Sequence, residues 1–314
     1  MYYIGVDLGG TNIKAAVTDE RGRVIAEGSR RTALPRPAER VADDMLLAAR
    51  DAAKAAGLRD ADISGVGIGC PGVVAERGYV PYSNNLDWKD FALGEYFAAR
   101  SPWGFPAVDN DANVAALAET LSPEGVAHGA RVALIITLGT GLGSGVVIDG
   151  KILRGCEVGH MVLNEHGPVC NCGRRGCFEY YSSATGLIRM TREVAEREPN
   201  GVLARMTRER GRIDGRAAFD AMRRGDAAGG AVVDEYIGHL ACGLANLVNI
   251  FRPDIIGLSG GLSNEGEFIL APLRKLVAPQ LFGGGEVRIE RCALGAKAGV
   301  AGAALLAREA AKTS

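Results

Sequence analysis

The chain has 314 residues, and 36 Lys and Arg face 37 Asp and Glu, so its formal net charge is -1 at pH 7. That balance excludes a dedicated nucleic-acid-binding protein, which usually carries a basic excess. No apolar run reaches the ~20 residues that a membrane-spanning helix needs, and the amino-terminal segment lacks the features of a secretion signal. Seven cysteines, an odd number, favour a reducing compartment over a disulfide framework. We expect a cytoplasmic protein of about two domains, with no nucleic-acid or membrane partner.

The apolar pattern predicts alternating strands and helices. The predicted strands are Tyr2–Leu8, Ile13–Asp19, Arg23–Ser29, Ile63–Cys70, Pro106–Val108, Arg131–Leu138, Ser144–Asp149, Asp254–Ser259 and Val287–Cys292. The predicted helices are Pro37–Gly57, Phe91–Arg100, Ala112–Leu121, Tyr180–Glu198, Arg216–Arg224, Asp226–Phe251, Gly266–Leu281 and Lys297–Lys312. This alternation predicts an α/β protein with largely parallel sheets.

One pattern occurs twice. The segment IGVDLGGTNIKAAVTD, which begins at Ile4, returns as LIITLGTGLGSGVVID at an offset of 130 residues. In both copies an apolar strand, a glycine turn and a second strand follow one another. The match suggests that the chain has two halves of similar design.

Three glycine turns, at 9–12, 139–143 and 260–264, each follow an apolar strand. Successive backbone N–H groups in such turns form concavities that bind anions, and the missing side chains let phosphate approach. The three turns together favour a nucleotide-binding protein, although none fits the P-loop motif and 139–145 does not fit the Rossmann spacing. Asp7 ends the strand before the first turn and is a candidate for holding Mg²⁺ through water; the alternative is a carboxylate that only stabilises the turn.

The sequence Asp109-Asn110-Asp111 stands just before a predicted helix. In the simpler interpretation Asp111 is the N-cap of that helix. In the functional interpretation Asp111 is a general base for a substrate hydroxyl, and Asn110 hydrogen-bonds the same substrate. Polar ligand groups gather easily at helix N-termini, which favours the second interpretation.

The segment from Glu157 to Glu179, EVGHMVLNEHGPVCNCGRRGCFE, has the donor set of a zinc site. Three thiols and one imidazole close a tetrahedral zinc shell, so the metal would be structural. The spacing of the residues leaves two histidines open as the fourth ligand, His160 and His166. The thiol ligands are Cys170, Cys172 and Cys177. Such a metal would fix Glu157, His160 and Glu179, whose side chains suit the hydroxyls of a polyol.

Five of these segments in order resemble the ROK family of sugar kinases, within the actin-like ATPase superfamily. They are DLGGTNIKAAV, DNDANVAALAE, LGTGLGSGVV, EVGHMVLNEHGPVCNCGRRGCFE and IIGLSGGLS, and they span the chain from Ile4 to about Ser263. The resemblance implies two ribonuclease-H-like domains around a cleft, with ATP between them and a sugar deeper in the hinge. The implied cofactors are ATP, Mg²⁺ and a structural Zn²⁺.

The resemblance also implies roles for individual residues. Asp111 is the implied catalytic base, and the sugar is implied to contact Gly72, Asn84, Asn110, Asp111, Glu157, His160 and Glu179. The nucleotide and its metal are implied to contact Asp7, Gly9, Gly10, Thr11, Asn12, Lys14, Thr140, Gly141, Gly260 and Gly261. The implied zinc ligands are His160, Cys170, Cys172 and Cys177, which decides the open choice against His166.

The implied reaction is the ATP-dependent phosphorylation of a hexose 6-hydroxyl, most like that of the glucokinases in the family. The alternative substrates are N-acetylmannosamine and N-acetylglucosamine. A sugar-responsive transcriptional repressor of the same family is disfavoured, because the first predicted strand begins at Tyr2 with no helix-turn-helix before it. An actin-type ATPase would need neither the zinc segment nor the Asn110-Asp111 pair.

The predicted division places residues 1–115 and 298–314 in an N-terminal domain and 116–297 in a C-terminal domain. The first would carry the sugar site and the first phosphate turn, and the second the zinc segment and the other two turns. The long predicted helix Asp226–Phe251 has an apolar face, and we expect a homo-oligomer, either a dimer or a tetramer. The expected small-molecule partners are a sugar and ATP.

Overall fold

The computed structural model describes residues 1–313, with the backbone alone at residue 313. Its strands are β1 (Tyr2–Leu8), β2 (Asn12–Thr18), β3 (Val24–Arg31), β4 (Ile63–Cys70), β5 (Tyr79–Ser83), β6 (Trp88–Ala92), β7 (Ala107–Asn110), β8 (Val132–Leu138), β9 (Leu142–Ile148), β10 (Lys151–Ile152), β11 (Ile255–Ser259) and β12 (Arg288–Arg291). Its helices are α1 (Ala38–Ala55), α2 (Leu93–Ala98), α3 (Asp111–Leu121), α4 (Phe178–Ser182), α5 (Ala184–Arg197), α6 (Val202–Arg210), α7 (Ala217–Arg223), α8 (Ala227–Phe251), α9 (Glu267–Val277) and α10 (Ala298–Thr313).

Two five-stranded sheets have the same connectivity. The first has the order β3-β2-β1-β4-β7 and the second has the order β10-β9-β8-β11-β12. The strand order of the first sheet therefore recurs, strand for strand, in the second. The prediction of two halves of similar design, made from the repeated strand–turn–strand pattern, is confirmed.

The sheets are mixed, and the prediction of largely parallel sheets is wrong for half of the first one. In that sheet β1, β2 and β3 pair antiparallel, whereas β1, β4 and β7 pair parallel. The reason is local, since strands joined by a tight turn can only run antiparallel, while parallel neighbours need a crossover such as α1. The remaining strands β5 and β6 form a separate antiparallel hairpin.

Glycines in the first sheet let α10 pack directly on its backbone. Gly5 of β1 pairs with Gly67 of β4. A Cβ on Gly5 would lie 1.9 Å from the Val300 carbonyl oxygen of α10, and one on Gly67 would lie 1.8 Å from that of Ala303. Side chains alternate between the faces of a strand, so Val6 points the other way, into the apolar cluster formed with α1. Helices therefore cover both faces of this sheet.

The chain forms two compact units. The first consists of residues 1–133, 145–154 and those from 292 onward, and the second of 134–144 and 155–291. This division differs from the predicted segments, which change domain at 115/116 and 297/298. A boundary at 116 would cut α3, which is continuous and packs on α10: a Cβ on Gly302 would lie 1.7 Å from the Val114 carbonyl oxygen. The predicted segments themselves stay a prediction.

In the second unit, α8 is the central helix. The Phe178 ring of α4 lies against Gly243, where an added Cβ would be 2.2 Å from it. The Tyr236 hydroxyl of α8, fully buried, donates a hydrogen bond of 2.8 Å to the Ser182 carbonyl. These two contacts fix α4, the helix that directly follows the last cysteine of the predicted zinc segment.

Most predicted elements lie within a few residues of the observed ones, with three differences. The predicted helix Tyr180–Glu198 is two helices, because Ser183 is extended and its side chain caps α5 by accepting from the Gly186 N–H. The predicted helix Phe91–Arg100 begins only at Leu93, since Phe91 and Ala92 complete β6. The hairpin β5–β6, the short strand β10 and helix α6 were not predicted.

Among residues 1–313, no helix has the length and apolar character that crossing a bilayer requires.

Candidate active site

The first glycine turn joins β1 to β2. The Gly9 N–H donates to the Asn12 carbonyl at 3.0 Å, so Gly10 and Thr11 form its exposed tip. Asp7 precedes the turn, and its pKa rises from 3.8 to about 6 because burial disfavours the carboxylate and Asp111 repels it, while Lys14 lowers the pKa in part. The fold therefore brings Asp7 and Lys14, for which the resemblance implied contacts with the nucleotide and its metal, close to Asp111, the implied base.

Room for the Asp7 carboxylate comes from α10. A Cβ on Gly299, in the first turn of that helix, would lie 2.5 Å from both Cγ and Oδ2 of Asp7. Any side chain at this position would displace the carboxylate. Gly299 lies outside every motif quoted above, and its contact with Asp7 spans almost the whole chain, so local sequence reasoning missed it.

We expect Asp7→Asn to stabilise the metal-free protein above about pH 6. A raised carboxyl pKa means that the folded state holds the proton more tightly, so the stability from this group is complete below pH 3.8 and is lost as pH rises to about 6. The loss corresponds to at most about 3 kcal/mol. Urea unfolding of the wild type and of Asp7→Asn, in chelator between pH 4 and 8, measures this loss. Parallel profiles of the free energy of unfolding against pH would contradict the raised pKa of Asp7.

The strand β7 leads directly into α3, and Asn110 is the N-cap of that helix. Its Oδ1 accepts from the Ala112 N–H at 2.9 Å, and its Nδ2 donates to the Gly72 carbonyl at 3.0 Å. The simpler interpretation of Asp111 as the N-cap is therefore wrong: Asp111 is the first residue of the helix itself. Gly72, Asn110 and Asp111 come together as predicted, and the Asn110 amide is already partly occupied by protein groups.

Asp111 lies in an environment that favours its protonated form. Burial raises its pKa, and hydrogen bonds from the Ala112 N–H and the Asn110 side chain oppose that rise in part. A general base needs such an elevated pKa, because proton transfer is most efficient when the pKa of the base approaches the working pH. The burial of Asp111 and its raised pKa are thus compatible with its predicted role as a general base.

Asp109, to which the sequence analysis gave no role, makes several hydrogen bonds at the junction of β7 and α3. It is only 3% exposed, and its Oδ1 accepts from the Asn110 N–H and the Asn113 side chain, each at 2.8 Å. Its Oδ2 accepts from Arg154 Nε at 2.7 Å. Asp109 thereby fixes the backbone of Asn110 and the side chain of Asn113, at the start of α3. The sequence did contain a signal for this role, because a carboxylate at the end of a buried strand needs hydrogen-bond partners.

Asn84 directly follows Ser83, the last residue of β5, on which Gly72 packs. Gly72 has a φ of +102° and lies so close to the hairpin that an added Cβ would be 2.5 Å from the Tyr82 carbonyl oxygen. Asn84 is exposed, and its Oδ1 accepts from the Tyr82 hydroxyl at 3.0 Å. The two predicted sugar contacts are therefore neighbours.

In the second unit, the Glu179 carboxylate contacts the turn between β8 and β9. The Leu142 N–H donates to Glu179 Oε2 at 2.8 Å, and an added Cβ on Gly141 would lie 2.5 Å from that oxygen. Glu179 follows the last cysteine of the predicted zinc segment by two residues. One of its carboxylate oxygens thus supports the predicted phosphate turn, so the sugar role predicted for Glu179 would fall mainly to the other.

The four predicted metal ligands converge. One donor atom from each of His160, Cys170, Cys172 and Cys177 lies within 4.8 Å of the others. Sγ of Cys172 and Sγ of Cys177 are 3.6 Å apart, close to the ~3.8 Å expected for two thiolates bound at ~2.3 Å to a tetrahedral ion. The open choice of imidazole falls to His160, since His166 is exposed beside Glu165.

The environment of the cluster fits a cation. His160 Nδ1 is buried and finds no hydrogen-bond partner among residues 1–313, a state that usually costs free energy. The Arg174 N–H lowers the pKa of the Cys172 thiol, whereas burial raises that of Cys177 to about 12. A bound divalent ion would stabilise the thiolates and satisfy the imidazole.

The remaining predicted residues are placed as follows. Glu157 is exposed at the start of the 3₁₀ turn Val158–His160, and its carbonyl accepts from the His160 N–H at 3.0 Å. Gly260, which follows β11, has a φ of +83°, and an added Cβ would lie 2.5 Å from the Leu138 carbonyl oxygen. Gly261 opens the following turn and is exposed. The third glycine turn therefore packs against the end of β8, next to the second.

Sheets of this order, each with a glycine turn after its first strand, define an actin-like ATPase fold. The model of the ROK family matches residues 3–310, and the chain belongs to the ROK family. A glucokinase of Streptomyces coelicolor is 36% identical over 319 residues, which cover 98% of this chain and 97% of that protein.

Two solved structures are similar over their full lengths. The crystal structure of a ROK hexokinase from Thermus thermophilus gives a TM-score of 0.85 at 32% identity and covers 100% of both chains. The crystal structure of a ROK family glucokinase from Streptomyces griseus, in complex with glucose and AMPPNP, gives a TM-score of 0.79 at 35% identity. That match covers 98% of this chain and 100% of the other.

Proposed function

We propose that this protein is an ATP-dependent hexokinase that phosphorylates the 6-hydroxyl of glucose. The observation that carries the proposal is the full-length similarity to a ROK glucokinase that binds glucose and AMPPNP, at 35% identity. The residues implied for each step are present in the sequence, and the contacts described within each unit support the proposal. Asp111 is the base, and the sugar contacts are Gly72, Asn84, Asn110, Glu157, His160 and Glu179.

In the proposed mechanism, Asp111 accepts the proton of the sugar hydroxyl as the hydroxyl oxygen attacks the γ-phosphorus of ATP. The bond from the γ-phosphorus to the bridging oxygen breaks, and ADP leaves. The Ala112 N–H donates to Oδ1 of both Asp111 and Asn110, and Asp109 fixes Asn110 by accepting from its N–H, so the base is held at the start of α3. The phosphates lie against the N–H groups of Gly10, Thr11, Asn12, Thr140 and Gly141, with Lys14 as a point charge, and Gly9, Gly260 and Gly261 let the nucleotide approach the backbone. Such positioning and electrostatic stabilisation supply most of the catalysis in phosphoryl transfer.

Two metal ions complete the proposal. The negative charge of Asp7 is only partly offset by Lys14, and Asp111 lies close by. A site with so few carboxylates suits Mg²⁺, because this ion keeps most of its waters. When bound, Mg²⁺ neutralises charge on the phosphoryl oxygens. His160 and the cysteines at 170, 172 and 177 are a closed donor set for Zn²⁺, whose role is structural. The zinc segment then fixes His160 and, through Cys177 and α4, Glu179.

An ADP-release assay tests the proposal across glucose, mannose, fructose, N-acetylglucosamine and N-acetylmannosamine. We expect glucose to give the highest kcat/KM. Comparable values with the acetylated sugars would overturn glucose as the substrate and leave a hexosamine kinase. Release of no ADP with any sugar would overturn the kinase assignment as a whole.

A further inference from the structure

Two threonines outside the glycine turns donate their hydroxyls to carbonyls inside them. In the first unit, Thr32 Oγ1 donates to the Gly9 carbonyl at 2.6 Å. In the second unit, Thr185 Oγ1 donates to the Thr140 carbonyl at 2.7 Å. Neither threonine belongs to the turn it contacts, since they are 23 and 45 residues away along the chain.

A backbone N–H strengthens each anchor. The Thr32 N–H donates to the Thr11 carbonyl at 3.0 Å, and the Ala184 N–H donates to the Gly139 carbonyl at 2.8 Å. Each turn is therefore held by two donors, one hydroxyl and one amide, that approach through its carbonyl oxygens. Both units therefore use one hydroxyl and one amide, on turns that hold corresponding places in the two sheets, although the two donors contact different positions of the two turns.

Anchoring a carbonyl also orients the next N–H group. A peptide unit is planar and trans, so the C=O of one residue and the N–H of the next point in opposite directions. A donor that holds the Gly9 carbonyl therefore aims the Gly10 N–H away from Thr32. By the same geometry, Ala184 aims the Thr140 N–H and Thr185 aims the Gly141 N–H.

The N–H groups aimed in this way are the unpartnered ones. Within the described part of the chain, the N–H groups of Gly10, Thr140 and Gly141 make no hydrogen bond, whereas the neighbouring Leu142 N–H is taken by Glu179. An anion is attracted by N–H groups and repelled by carbonyl oxygens. Fixing the carbonyls on one side leaves a donor-only surface on the other.

We propose that Thr32 and Thr185 are positioning residues for ATP, one for each phosphate turn. They touch no substrate and act by fixing the peptide planes whose N–H groups meet the phosphates. The inference rests on the proposed function, because it takes the two turns as the phosphate sites. Two buried threonines differ from these, since the hydroxyls of Thr191 and Thr207 donate only to the preceding turn of their own helix, at 2.7 and 2.9 Å.

The test compares Thr32→Val and Thr185→Val, which keep the side-chain shape and remove the donor, with the serine variants, which keep the donor. We expect each valine variant to raise the KM for MgATP roughly 3–10-fold, the loss expected for one hydrogen bond. The KM for glucose should stay within about twofold of the wild-type value, and Thr32→Ser and Thr185→Ser should restore the KM for MgATP. Thr191→Val and Thr207→Val are matched controls that should leave both KM values unchanged.

Three results would overturn the inference: an unchanged KM for MgATP in Thr185→Val, equal rises in both KM values, or serine variants as impaired as the valine ones. Thr32 is fully buried; if Thr32→Val does not fold, the exposed Thr185 and the two serine variants still decide. Titration calorimetry with MgADP separates this inference from the proposed function. If the wild type binds MgADP but phosphorylates no sugar, the kinase proposal fails, and the affinities of the variants for MgADP still test the two threonines.

Discussion

Asp111→Asn is expected to slow turnover by about 10²–10⁴-fold, while the affinities for glucose and MgATP stay near their wild-type values. Asparagine keeps the size of the side chain and its bond to the Ala112 N–H, but it cannot accept the hydroxyl proton. The N-cap of α3 is Asn110, so the substitution leaves the helix start intact. Steady-state kinetics measures the loss, and calorimetry with glucose measures the retained binding.

The matched control for this variant is Asp226→Asn. Asp226 is also a carboxylate at the start of a helix, where it accepts from the Gly229 N–H at 3.0 Å, and it has no proposed contact with substrate. The Asp226→Asn variant should keep wild-type activity and lose little of its free energy of unfolding. Turnover of Asp111→Asn within tenfold or so of wild type would refute Asp111 as the base, because a positioned base typically contributes more than that.

Cys172→Ser is expected to lower the zinc content far below one ion per chain and to raise the KM for glucose. Loss of an outer-shell partner alone costs roughly 10–100-fold in metal affinity, and loss of a direct ligand should cost at least as much. Cys172 is the exposed ligand of the four, so its substitution leaves the buried core of the segment unchanged. Elemental analysis gives the metal content, and kinetics gives the KM.

The control for this substitution is Cys242→Ser. Cys242 is a half-buried free cysteine on α8 and is not one of the clustered ligands. It should keep the zinc content and the KM for glucose. Full zinc content in Cys172→Ser would count against the ligand assignment, and a lowered zinc content with an unchanged KM would separate the metal from the sugar site.

Much of the fold could be predicted because its signals are local. β1 and β4 have the predicted bounds, since each is a mostly apolar segment that ends at a turn. The ligand cluster could also be predicted, because thiol and imidazole spacing leaves few alternatives. The choice between His160 and His166 could not be made from spacing and needed the family resemblance.

The features that could not be predicted depend on contacts between distant residues. The break at Ser183 interrupts a continuous helical pattern, and the residue before it, Ser182, is held by the distant Tyr236 hydroxyl of α8. The anchors at Thr32 and Thr185 and the space made by Gly299 join residues far apart in the chain. Asn110 rather than Asp111 caps α3, a choice that two equally good capping residue types leave undecided.

In the proposed function, the γ-phosphoryl group of ATP is transferred to a sugar hydroxyl and not to water. Phosphorus NMR of the purified protein with glucose and MgATP measures this directly. The proposed function predicts a hexose 6-phosphate signal that grows in step with ADP. ADP formed with inorganic phosphate instead, or at the same rate without sugar, would contradict it.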